Sequence, residues 1–120
     1  MILAESNKYI VYNDYETVFL KKKSDCSEII IGDFYGDPFG AFIDKEERFV
    51  VMYGCGVIVY YLPAYREYQY NMKTPQWDEF GRKNPIIWVE NVIQADKNKI
   101  ILKLEDGTIH TIKIKTDIHF

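Results

Sequence analysis

Cysteine and serine are scarce in this chain of 120 residues, and each scarcity closes a route. Cys26 and Cys55 are the only cysteines and lack CxxC spacing, so neither a disulfide framework nor a zinc site is indicated. The serines are Ser6, Ser24 and Ser27, and none lies in a G-x-S-x-G setting. Gly32, Gly36 and Gly40 recur every four residues with no lysine directly after them, which matches neither G-x-G-x-x-G nor a P-loop. No stretch approaches the ~20 apolar residues of a membrane helix. The opening Met1–Lys8 lacks the basic and apolar regions of a signal peptide. A cytoplasmic protein with reduced thiols, no cofactor and no membrane contact is expected. Strong charge of one sign is missing too. Fifteen basic against eighteen acidic residues leave a net charge of −3, which argues against nucleic acid as a partner and suits a cationic protein.

Aromatic residues are abundant, at 16% with ten tyrosines. They fit strands, and they fit binding surfaces, because tyrosine joins a large apolar body to a polar tip. The pattern centres on residues 48–62, where Phe49–Tyr53 and Val57–Leu62 flank Gly54-Cys55-Gly56. Both runs are β-branched or aromatic, and the glycines supply the positive φ that a tight connection demands, so the stretch reads as a β-hairpin. Phe49, Val51 and Tyr53 alternate with Val50 and Met52, and both sets are apolar, which predicts a hairpin covered on both faces.

Three segments resemble one another. Residues 4–12 and 95–103 share alanine, an acid, any residue, asparagine, lysine and then an apolar run, and residues 43–51 keep the acid, the base and the apolar triplet with one insertion. A turn follows each copy, at Asn13-Asp14, Gly54–Gly56 and Glu105-Asp106-Gly107, and then a second strand, Thr17–Leu20, Val57–Leu62 or Thr108–Lys115. One all-β, antiparallel domain over 1–120 is expected, built from about three hairpin units as a small barrel, a trefoil-like closure or a curled sandwich. Residues 63–85 break the β pattern. Thr74 as N-cap, Pro75 at the first helical position and Gly81 past the end frame a short helical insertion near 74–81, with Trp77 and Phe80 on its inner face.

Catalytic and metal signals are weak beside their structural alternatives. His110 lies mid-strand with Ile112 and Ile114 and reads as a packed or edge histidine, and His119 is penultimate. Cys55 has no implied helix N-terminus or basic neighbour to make it a thiolate. Asp33, Asp37 and Asp44 match no EF-hand spacing and read as turn formers. Lys21–Lys23 reads as a solvated turn or edge device. No catalytic or metal residue is assigned. A protein-binding face is the better candidate. Tyr65, Tyr68, Tyr70 and Trp77, interleaved with Arg66, Glu67, Asp78 and Glu79, have an interface-like composition. The same aromatics would equally cap the open end of a β core. Asp33, Tyr35 and Asp37 would add acceptors to that face, and exposed strand edges would allow β-augmentation or a homodimer.

The run Ile-Gly-Asp-Phe-Tyr-Gly-Asp-Pro-Phe-Gly-Ala-Phe-Ile-Asp (31–44), then Tyr-Gly-Cys-Gly-Val-Ile-Val-Tyr-Tyr-Leu (53–62) and a later tryptophan, resembles small immunity proteins encoded beside bacterial polymorphic toxins of the contact-dependent inhibition type. The resemblance covers residues 28–62. It implies a cytoplasmic, non-enzymatic inhibitor that binds a cognate toxin domain. A small β ligand-binding or structural module is the alternative.

Overall fold

A computed structural model describes residues 1–62, 76–83 and 85–115. Among them the chain forms strands and no helix. The first unit comprises β1 (Ile2–Glu5), β2 (Tyr9–Asp14), β3 (Thr17–Lys22) and β4 (Glu28–Asp33). The second comprises β5 (Gly40–Ile43), β6 (Phe49–Gly54), β7 (Gly56–Tyr61) and β8 (Trp77–Phe80). The third comprises β9 (Val89–Asp96), β10 (Lys99–Leu104) and β11 (Ile109–Lys113). Each unit is a separate antiparallel meander in which consecutive strands pair, giving sheets of four, four and three strands.

The two-sided apolar pattern of β6 and β7 determines how the sheets stack. Phe49, Val51, Val57, Val59 and Tyr61 pack against Val89, Val92, Ile100, Leu102, Leu104 and Ile114 of the third unit. Val50, Met52, Cys55, Ile58 and Tyr60, on the opposite face, pack against Val11, Val18, Leu20, Ile31 and Phe34 of the first. The middle hairpin is therefore the inner layer of a three-layer all-β stack, and all of β7 is buried. Among the described residues the three sheets do not close into the barrel that was one of the expected forms.

Two local expectations are corrected. Trp77–Phe80 is the strand β8, not part of a helix, and pairs with β7 through Tyr60↔Trp77 and Val57↔Phe80. The predicted cap residues Thr74 and Pro75 lie outside the described residues. On a strand, Trp77 and Phe80 point to opposite faces, and each packs against a different core. Sheet pairing along β7 outweighs the local helix signals, which are weak beside a ladder and two aromatic anchors. The first predicted turn is also displaced. Asn13 and Asp14 end β2, and the tip is Tyr15-Glu16, with Tyr15 at φ 54°.

The similar segments all become strand–turn–strand junctions, and their turns meet at one end of the molecule. There the Glu47 carboxylate accepts hydrogen bonds from Ser6 Oγ (2.6 Å) and the Lys8 amide (3.0 Å) of the first unit. Arg48 donates to Asn98 Oδ1 (3.2 Å) and to the Lys97 carbonyl of the third. Asp44, 2% exposed, accepts from Arg48 Nε (2.7 Å) and Gln94 Nε2 (3.0 Å). The alternating strand directions then carry the second turn of every unit to the opposite end.

Candidate functional site

At that opposite end the β2–β3 turn, the loop after β4, the β6–β7 turn, the segment after β8 and the β10–β11 turn are joined by hydrogen bonds. Phe34 N donates to Glu16 O (2.9 Å), and Gly36 N donates to the Glu16 carboxylate. Phe39 N donates to Tyr53 O (2.8 Å), Gly56 N to Ile87 O (2.7 Å) and Glu105 N to Trp88 O (3.1 Å). Gly54 and Gly56 make this convergence feasible. A Cβ on Gly54 would stand 3.2 Å from both Pro38 Cα and Phe39 N, and Gly56 sits at φ +78°. Arg82 fastens the end from inside. Its guanidinium donates to Cys55 O (3.0 Å) and Asp33 O and lies 4.8 Å from the centre of the Phe34 ring.

Large side chains are exposed here. Tyr15 is 80% exposed and Tyr35 75%, and Phe39, Ile86 and Trp88 are also exposed. The rings of Phe39 and Trp88 lie 6.5 Å apart and tilted by 31°. Tyr15 keeps a left-handed backbone that a bulky residue adopts only when its surroundings impose it. The turns that carry these rings also carry the exposed acidic residues Asp14, Glu16, Asp33, Asp37, Glu105 and Asp106, against Arg82 and Lys83 as the basic residues of the same turns among the described residues. This end is therefore aromatic and acidic together. Charge at the other end is nearer balance, and Lys8, Lys22 and Lys23 line an open cleft of about 580 Å³ there with Asn7, Tyr9 and Ser24.

The predicted site residues divide. Asp33, Tyr35 and Asp37 lie together on the exposed loop of the aromatic end. Glu79, on β8, is also exposed and pairs with Arg82 at 3.6 Å. Trp77 is half-buried, packs its ring tilted by 48° against Tyr60 (centroids 4.9 Å apart) and donates its indole N–H to Ile31 O (2.9 Å). A β-bulge makes that acceptor accessible, because the β3–β4 register passes from Gly32 to Ile30 and leaves Ile31 unpaired in the ladder. Asp78 accepts from Tyr61 Oη (2.7 Å) and pairs with Lys115 Nζ (3.0 Å). Burial, reinforced by Asp78, pushes the Tyr61 hydroxyl well above its ordinary pKa and keeps it a donor. Trp77 and Asp78 therefore serve the fold. Tyr65, Tyr68 and Tyr70, with Arg66, Glu67 and His119, lie outside the described residues. Asp44 is at the far end from Asp33 and Asp37, so these three aspartates form no common site. Cys55 is buried and Cys26 exposed.

The sequence reading missed Tyr15, Phe39, Ile86 and Trp88 as members of one surface. They come from three connections distant in sequence, the β2–β3 turn, the loop after β4 and the segment after β8, so the sequence signal for the set is little more than the aromatic excess. No family model matches this chain, and no curated protein or solved structure matches it.

Proposed function

We propose that the chain is a non-enzymatic inhibitor of the immunity type, which neutralises a cognate bacterial toxin domain in the cytoplasm by direct binding through the aromatic end. The observation that carries this reading is the set of exposed side chains Tyr15, Tyr35, Phe39, Ile86 and Trp88 at one end, on turns that also carry exposed acidic residues. Interfaces concentrate their energy in aromatic anchors at the centre and keep a polar rim. Acidic rims also accelerate encounter with a basic partner.

The test is co-expression with the product of the adjacent reading frame, followed by titration of its activity. A 1:1 complex that abolishes activity is expected. Tyr35→Ala and Phe39→Ala should each weaken it about tenfold or more without lowering the thermal midpoint. Recovery of the chain alone, or unchanged affinity in both variants, would overturn the reading. A ligand-binding module is a second reading, favoured by the lysine-lined cleft at the other end. Thermal stabilisation of the isolated chain by a phosphate-bearing metabolite, lost in Lys8→Gln, would support it.

A further inference from the structure

We infer that the Phe39–Trp88 pair is a seat for one arginine or lysine side chain of a cationic protein segment, with Asp37 and Glu105 as flanking carboxylates. The inference rests on the aromatic end being a protein-binding face and adds the chemistry of the group received there. Phe39 is 48% exposed and Trp88 37%, so part of each ring is open to solvent while the rest is held. Holding is firm on both sides. Phe39 N is bonded to Tyr53 O, Trp88 pairs with Cys55 across an isolated bridge, and the Trp88 carbonyl accepts from Glu105 N.

Exposed acidic residues stand close along the backbone to both rings: Asp37 precedes Phe39 by two residues. Glu105 is tied to Trp88 by its amide (3.1 Å). A cation over an aromatic face gains from the ring quadrupole, and most over tryptophan. A nearby carboxylate adds a charge-assisted hydrogen bond. An apolar partner side chain would cover the rings yet leave those carboxylates partly desolvated and unpaired, which is costly. A cation satisfies both. The fold already uses this combination within itself. Arg82 lies over Phe34 with carbonyl acceptors at its guanidinium, and Arg48 lies 5.2 Å from the Phe49 ring centre while bonded to Asp44.

The probe is an arginine decapeptide titrated calorimetrically into the full, unmodified chain. A glutamate decapeptide serves as the control, with Phe39→Ala and the double variant D37N/E105Q for comparison. Saturable binding of the arginine peptide alone is expected. Phe39→Ala should weaken it roughly 3- to 30-fold. D37N/E105Q should weaken it and flatten its salt dependence between about 0.05 M and about 0.5 M. Thermal melts establish that both variants remain folded. No saturable binding, equal binding of the glutamate peptide, or indifference to Phe39→Ala in a folded variant overturns the inference. So does a dimer in sedimentation that Phe39→Ala dissociates, because a second copy would then occupy the seat. A toxin bound and inhibited in the absence of peptide binding removes only the cation seat. Peptide binding with no toxin inhibited removes only the inhibitor reading.

Discussion

Two aromatic residues, Trp77 and Tyr35, mark the difference between holding the fold and standing in solvent. Trp77 combines a tilted ring contact with Tyr60 and a hydrogen bond to a bulged carbonyl. Trp77→Ala removes both and opens a void, so a loss of about 2–4 kcal/mol in unfolding free energy is expected by urea titration. Tyr35 stands in solvent, and Tyr35→Ala should change stability by less than about 0.5 kcal/mol. Equal destabilisation by the two would place Tyr35 in the fold and weaken its assignment to the interface. Composition identifies both as candidates and cannot separate them. What separates them is the skipped register at Ile31, a consequence of sheet pairing. Asp78 illustrates the same limit, since its partners Tyr61 and Lys115 are far from it in sequence.

At the level of elements, the turns of the repeat end carry an acid dependence. Burial tends to raise the Asp44 pKa, but hydrogen bonds from Arg48 and Gln94 outweigh it and hold the carboxyl below its ordinary value. The hydrogen bond from Ser6, aided by the Lys8 amide, likewise lowers Glu47. A carboxylate whose pKa is depressed on folding contributes stability that is complete above its unfolded pKa, near 4. That contribution disappears as pH falls through the folded value. Urea midpoints should therefore be level from about pH 7 to about pH 5 and fall below about pH 4. In Asp44→Asn the fall should be shallower and start from a lower midpoint at neutral pH. A variant with the parental acid limb would show that the Asp44 network does not set it. The similar segments were legible in the sequence as three strand–turn–strand junctions, because an acid and a base before an apolar run, with asparagine in two of the three, are turn chemistry. Their meeting through Glu47 and Arg48 was not, since those bonds join residues about 40 to 50 positions apart. The helix expected near 74–81 failed for a related reason. Capping residues bias a helix by amounts that pairing with a fully buried strand exceeds.

For the molecule as a whole, stability depends on covering both faces of the middle sheet. Val50 and Val51 are adjacent and fully buried, one in each core. Val50→Asp and Val51→Asp each bury an unpaired charge, so each should cost about 4 kcal/mol or more, read as loss of a cooperative thermal transition. If one variant melted like the parent, the face it occupies would be open to solvent and the three-layer order would be wrong. The sequence by itself determined the all-β class, the antiparallel pairing, the central hairpin and its double covering, though not the strand at Trp77–Phe80. Those follow from side-chain periodicity and turn chemistry, which act over a few residues. Only the tertiary structure decided that the sheets stack as open layers, that Trp77 anchors a bulge, and that Phe39 and Trp88 meet at one end. Each of these depends on which surfaces pack together once strands from distant parts of the chain have paired, and no local pattern encodes that choice.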